Sequence, residues 1–380
     1  MRVRYVVCVM ISALILMLCA AVPVNALSDK EITAPSAVLM DPRSGKVLYE
    51  KNAHEVRPCA SITKVMTLTL VMEALDSGRI KLTDTVTASE HAASMGGSDI
   101  WLEPGERMSV DDMIKATVVA SANDAAVALA EFICGSEDEF VSKMNEKAKA
   151  LGMKETVFKN CNGLDEDGHV TSAYDVAVMS RELIKHKKIF NYSGIWMDHL
   201  RGGKTQLVNT NKLLKTYNGI TGLKTGTTSA AGSCITATAE RDGLSLIAVV
   251  LGSKTGKDRF RDAAALLDYG FASYAMYTPR TPDDAFTELE VIGGMSGSVR
   301  TTANINDVFM ISKGDDKNIV QKTELPQNVK APVSKGDRVG YIIFSKGKEI
   351  LGKYPVTAAE DVREISLGEI FSLVLRAFSE

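Results

Sequence analysis

Residues 60–78 read Ala60-Ser61-Ile62-Thr63-Lys64-Val65-Met66-Thr67-Leu68-Thr69-Leu70-Val71-Met72-Glu73-Ala74-Leu75-Asp76-Ser77-Gly78. Ile62, Val65, Met66, Leu68, Leu70, Val71, Met72 and Leu75 surround the helix axis instead of forming one stripe, and a helix without a polar face is a buried one. The pattern predicts a core helix from Ser61 to Asp76, ended by Ser77-Gly78, with a serine at its start and a lysine at i+3 on the same face. Serine is a poor nucleophile at neutral pH and needs a base within hydrogen-bonding distance. Burial disfavours an ammonium, so it lowers the pKa of Lys64 and supplies the neutral amine that a general base requires. The positive end of the helix favours an oxyanion forming near Ser61.

Two further motifs follow in order, Ser121-Ala122-Asn123 and Lys224-Thr225-Gly226. Each is weak alone: a Ser-x-x-Lys arises readily by chance among 44 lysines and arginines, and a solvated helix face is its ordinary meaning. The ordered trio, with apolar and small residues around it, is specific for serine acyl transfer. Ser109, with Asp112 three residues on, opens a helix that Met113, Ile114 and Val118 continue, and the pattern breaks at Ser121-Ala122-Asn123 before restarting at Asp124. From such a break Ser121 can relay a proton between Lys64 and a leaving amine, and Asn123 can hold an amide carbonyl; capping the second helix is the plainer use of both. Beyond Gly226, Ser233 to Glu240 and Leu244 to Leu251 read as strands joined at Arg241-Asp242-Gly243. The backbone N–H of Thr227 is then an oxyanion donor beside that of Ser61. Lys224 supplies positive charge, and Thr225 and Thr227 offer hydroxyls to a carboxylate. Gly226 keeps the strand flank clear, so that a peptide can lie along it as an added strand.

The ends of the chain point to export. Arg2 and Arg4 precede an apolar run from Tyr5 to Val22 and then Val24-Asn25-Ala26, the pattern of a signal peptide cleaved after Ala26, with an uncleaved anchor as the alternative. Losing those two arginines takes the formal net charge from −3 to −5, and nothing in that balance suggests nucleic acid. Cys59, Cys134, Cys161 and Cys234 match no zinc pattern and read as free, mostly buried thiols. Cys59 is no nucleophile candidate, since no histidine is suggested beside it.

Elsewhere, Ser36 to Glu50 alternates around Asp41-Pro42-Arg43-Ser44-Gly45 as a hairpin. Gly96-Gly97-Ser98 with Trp101 and Pro104-Gly105 forms a loop able to rim the cleft; an ordinary surface loop is the plainer meaning, and it is left out of the site. Asn160 to His169 is turn-rich, and Thr171 or Ser172 caps a helix that contains Asp175. Gly256 to Tyr274 is an amphipathic helix. Past Pro279 to Asp284 the composition turns β-branched and Gly-rich, which predicts a small β domain. Leu367, Ile370, Phe371, Val374, Leu375 and Phe378 then form a helical stripe suited either to a membrane surface or to packing on its own domain.

From Ser36 to Gly252 the chain resembles the D-alanyl-D-alanine carboxypeptidases, the low-molecular-mass penicillin-binding proteins. The resemblance is carried by Ala60-Ser61-Ile62-Thr63-Lys64-Val65-Met66-Thr67, Ser121-Ala122-Asn123-Asp124-Ala125-Ala126, Asn162-Gly163-Leu164-Asp165 and Gly222-Leu223-Lys224-Thr225-Gly226-Thr227-Thr228. It implies an α/β fold, a transpeptidase-like domain whose antiparallel sheet has helices on both faces, followed by a small β-rich domain. The expected divisions are 1–26 signal, 27–278 catalytic, 279–364 β-rich and 365–380 helix. The resemblance further implies an extracytoplasmic enzyme, without cofactor or metal, that removes the terminal D-alanine from peptidoglycan stem peptides ending in D-Ala-D-Ala and is acylated by β-lactams. Ser61 is then the nucleophile, Lys64 the proton acceptor, Ser121 a second proton handler and Lys224 a substrate-binding residue. A D,D-endopeptidase, a serine β-lactamase and a non-catalytic muropeptide or β-lactam sensor are the alternatives; no Glu-x-x-Leu-Asn segment supplies the lactamase's extra base. One departure concerns carboxylate binding. Some relatives have an arginine before Asn-x-Leu-Leu, where this chain reads Asn209-Thr210-Asn211-Lys212-Leu213-Leu214, leaving Lys212 or Arg241 as substitutes.

Overall fold

The computed structural model describes residue 27 and residues 31–378, so the proposed signal segment lies outside the described residues. The chain forms two units, the first running to Ser273 and the second beginning at Tyr274.

The first unit is built on a five-stranded antiparallel sheet in the order β2-β1-β5-β4-β3, where β1 is Ser36–Met40, β2 Val47–Lys51, β3 Ile220–Thr228, β4 Gly232–Arg241 and β5 Leu244–Ser253. Expected alternation fails in β1, which is buried along its whole length. The reason is cover on both faces. Val38 and Met40 join the core built around helix α1 (Lys64–Asp76) and helix α3 (Ala173–Leu183), whereas Leu39 meets Gly270 of helix α4 (Gly256–Ser273) on the other side. A strand covered twice reads as a continuous apolar run.

α1 is buried nearly all round, as its apolar girdle requires, but it starts one turn later than expected. Ala60–Thr63 is a tight 3-10 turn, and Ser61 sits in it. Before helix α2 (Asn123–Cys134), residues 116–120 open into a wide π turn and Ser121 takes a left-handed conformation (φ 63°), which makes the break real. Cys59, Cys161 and Cys234 are buried, Cys134 is partly exposed, and all four are free thiols.

The second unit carries a six-stranded sheet, order β8-β10-β11-β7-β6-β9, formed by β6 (Glu288–Ile292), β7 (Ser298–Ala303), β8 (Val320–Glu324), β9 (Asn328–Lys330), β10 (Arg338–Lys346) and β11 (Glu349–Ala358). Its own core includes Val299, Ile342, Phe344 and Val356. Helix α5 (Leu367–Ala377) opens with a capping box between Ser366 and Glu369. Its apolar stripe is uncovered: Leu367 is 85% and Phe371 65% exposed, so packing on its own domain is not how it is satisfied.

Candidate active site

The three motifs converge. Lys64 Nζ is fully buried and has three oxygen neighbours: Ser61 Oγ at 3.1 Å, Asn123 Oδ1 at 2.5 Å and the backbone O of Asn162 at 2.6 Å. Desolvation lowers the Lys64 pKa to about 7. A neutral amine has two N–H groups and one lone pair. Asn123 and Asn162 take the two donors, which leaves the lone pair for the Ser61 hydroxyl. Ser61 itself is only partly buried and open to attack an incoming carbonyl.

The turn holding Ser61 is held in place by neighbours to which the sequence reading assigned no role of their own. Gly163, at φ +88°, packs so closely that a Cβ there would lie 2.1 Å from the Ala60 oxygen. Thr67 donates to Cys161 O at 2.5 Å. Thr63 Oγ1 donates to Ala60 O at 2.9 Å and lies 2.7 Å from His169 Nε2. Since Lys159 N donates to His169 Nδ1, the proton of the neutral ring belongs on Nε2, facing Thr63. Burial lowers the His169 pKa to about 4, which keeps that tautomer at neutral pH. The Cys59 thiol is pushed up to about 12 by burial, consistent with an inert packing role.

On the opposite wall, Lys224 Nζ donates to Ser121 Oγ at 2.8 Å and to Thr225 O at 3.0 Å. Burial, then the proximity of Lys64, hold the Lys224 pKa well below its ordinary value. Asn123 is engaged at both ends, since its Nδ2 donates to Gly96 O at 2.6 Å and its backbone N to Ser98 O at 2.6 Å. The loop left outside the site by sequence reasoning therefore forms part of it. Gly226 answers to close approach: a Cβ there would stand 2.8 Å from both Cys59 O and Ser61 N, so the edge of β3 lies directly on the turn that holds Ser61.

Neither expected substitute for the missing arginine fits. Arg241 stacks over Tyr217 and Phe271 and donates to Asn218 O, and Lys212 is exposed at a helix start. Thr210, from the same segment, accepts from Thr225 Oγ1 at 2.6 Å. The cation beside Lys-Thr-Gly is Arg259 of α4, whose Nη1 donates to Thr227 Oγ1 at 2.8 Å and Gly226 O at 2.9 Å. A guanidinium stays charged even where burial lowers its pKa, as it does here. The available sequence signal was an arginine on the buried stripe of α4, in phase with Ala263, Leu266 and Gly270. Among the described residues no cluster of His, Cys, Asp and Glu is arranged to hold a metal ion.

A partly open serine bonded to a buried lysine and facing a Lys-Thr-Gly strand edge defines a serine acyl-transfer hydrolase. The chain belongs to the D-alanyl-D-alanine carboxypeptidase family, whose model matches residues 23–255; the model of the penicillin-binding protein 5 C-terminal domain matches residues 274–364. It is 46% identical over 335 residues to D-alanyl-D-alanine carboxypeptidase DacF of Bacillus subtilis (strain 168), covering 87% of this chain and 86% of that one. Among solved structures, penicillin binding protein 5 from Haemophilus influenzae superposes with TM-score 0.74 at 32% identity, over 89% of this chain and all (100%) of the other. Penicillin-Binding Protein D2 from Listeria monocytogenes, in its ampicillin-bound form, superposes with TM-score 0.59 at 34% identity, over 64% of this chain and 100% of that one. The chain is thus a serine-type carboxypeptidase with a transpeptidase-like fold and a β-rich second domain.

Proposed function

We propose that Ser61 is the residue acylated by stem peptides ending in D-Ala-D-Ala, and that the coordination of Lys64 is the observation carrying this assignment. The Lys64 lone pair takes the Ser61 proton as Oγ attacks the penultimate D-alanine carbonyl. The N–H groups of Ser61 and Thr227 receive the oxyanion. Lys224 donates to Ser121 Oγ, so the Ser121 hydroxyl proton is free to reach the leaving amine as the C–N bond breaks, while the Lys64 ammonium passes the proton it took from Ser61 to Ser121 Oγ and becomes a neutral amine again. Water then attacks the ester, with Lys64 taking its proton, and restores Ser61. Asn123 Nδ2 exchanges Gly96 O for a substrate carbonyl, while Arg259, Thr225 and Thr227 receive the terminal carboxylate.

The same serine reacts with β-lactams, a reading supported by the ampicillin-bound Listeria relative. Export is inferred from the N-terminal segment. The exposed stripe of α5 rests on the outer face of the cytoplasmic membrane, inserting Leu367, Phe371 and Phe378; deletion of residues 367–380 is expected to abolish co-sedimentation with phospholipid vesicles.

The test is intact mass after incubation with benzylpenicillin, followed by D-alanine release from a peptide ending in D-Ala-D-Ala. A covalent adduct that disappears in Ser61→Ala, together with D-alanine release, supports the assignment. Rapid penicillin turnover without peptide cleavage would make the chain a lactamase. Cleavage of cross-linked peptide alone would make it an endopeptidase, and absence of any adduct would overturn the role of Ser61.

A further inference from the structure

Trp101 is held in an unusual manner. It is 79% exposed and adopts a left-handed backbone (φ 55°), a conformation that L side chains rarely take. Its neighbours are fixed on both sides. The Asp124 carboxylate, 1% exposed, accepts from Ile100 N at 3.1 Å and from Leu102 N at 3.0 Å. Ile100 and Leu102 bury their side chains in the main core. Arg201 closes the collar, donating to Ile100 O at 2.9 Å while Glu106 holds its guanidinium at 2.7 Å. Two anchored flanks and a reversed φ leave the indole the only side chain of the three that points to solvent.

The collar grows from the active site. Asp124 follows Asn123, which binds Lys64 through Oδ1 and Gly96 and Ser98 of the same loop through Nδ2 and its backbone N. Along the cleft the contacts run from Arg259 to Thr227 and Gly226, then Ser61, Lys64, Asn123 and the loop bearing Trp101. With the carboxylate at the Arg259 end and the reacting carbonyl at Ser61, the rest of the acyl donor leaves toward Asn123. Burying one flat apolar group is what a rigidly presented indole does best.

Resting on the carboxypeptidase assignment, we propose that Trp101 is a specificity-determining residue that packs against the acylamino portion of the acyl donor: the stem-peptide residue preceding the penultimate D-alanine, or the amide side chain of a β-lactam. It takes no part in the chemistry of Ser61.

The experiment compares acylation of the full mature chain by benzylpenicillin and by 6-aminopenicillanic acid, which lacks the phenylacetyl group. Trp101→Ala is expected to lower the second-order rate constant for benzylpenicillin about tenfold, the scale of one lost aromatic contact, and to leave that for 6-aminopenicillanic acid within about twofold. Trp101→Phe is expected to recover most of the difference. An equal loss toward both compounds would reduce Trp101 to a structural role, and no loss toward either would mean the indole touches nothing; both results overturn the proposal. Failure of wild type to react with either compound would instead overturn the assignment of Ser61, and this proposal with it.

Discussion

Lys64 Nζ and the backbone oxygen of Asn162 lie 2.6 Å apart although 98 residues separate them in the chain. The contact turns the position of one loop carbonyl into a property of the proposed base. With Asn123 it absorbs both N–H groups of the neutral amine, so the direction of the lone pair depends on where the 160–169 loop sits.

The first expectation concerns pH. As the proposed base Lys64 would act deprotonated, and burial brings its pKa to about 7, so acylation is expected to fall about tenfold per pH unit on the acid side of that value and to level off on the alkaline side. Labelling by a fluorescent penicillin between pH 5 and pH 9 reads the profile. Lys64→Arg, fixed in the charged form, is expected to lose about a thousandfold. A flat profile would remove Lys64 from the role of base.

Gly163→Ala tests the loop itself. A Cβ 2.1 Å from the Ala60 oxygen at φ +88° forces the backbone apart. The variant is expected to lose about 2 kcal/mol of stability and to label more slowly than wild type at 25 °C, where both remain folded. Thermal unfolding and labelling rate are measured together. Unchanged labelling with lowered stability would uncouple the loop from the base.

Arg259→Ala is expected to lower kcat/KM for a peptide with a free terminal carboxylate by about 10- to 100-fold, mainly through KM. Hydrolysis of the same peptide with its C-terminus amidated is expected to change little. Equal losses for both substrates would assign Arg259 to holding Gly226 and Cys234 rather than to substrate.

His169 gives an acid-stability signature. The unfolded ring takes a proton below its ordinary 6.5, the folded one only near 4. The stability contributed by the neutral ring is complete above pH 6.5 and is lost as pH falls through 6.5 toward 4, about 3 kcal/mol in all. Urea unfolding of His169→Gln, which keeps a donor toward Thr63 without titrating, is expected to flatten this part of the pH curve.

The motifs were legible because their chemistry needs particular residue types at fixed spacing. Ser61, Lys64, Ser121, Asn123 and Lys224 meet where three separate elements come together. What escaped is carried by backbone groups or by distant packing. The Asn162 oxygen has no residue type to betray it, and Gly96 and Ser98 also act through carbonyls. Arg259 was hidden in an ordinary amphipathic pattern, because helical phase tells which face is buried but not what it is buried against. Alternation failed in β1 for a related reason: period-two reading assumes one wet face, and β1 has none. The late start of α1 reflects a 3-10 turn that shares its hydrophobic pattern with the helix it precedes.

The central strand of the first unit joins the two ends of that unit: Ser36 in β1 pairs with Leu251 in β5. The helices between them, α1 to α3 included, are synthesised before the strand that completes their sheet. Pairing at such separation is slow, because the loop must close before the contacts form. A chain emerging N-terminus first therefore has no finished sheet to lock it, and it stays threadable until residue 251 has appeared. On the export proposed above, this topology would delay folding until most of the chain has crossed.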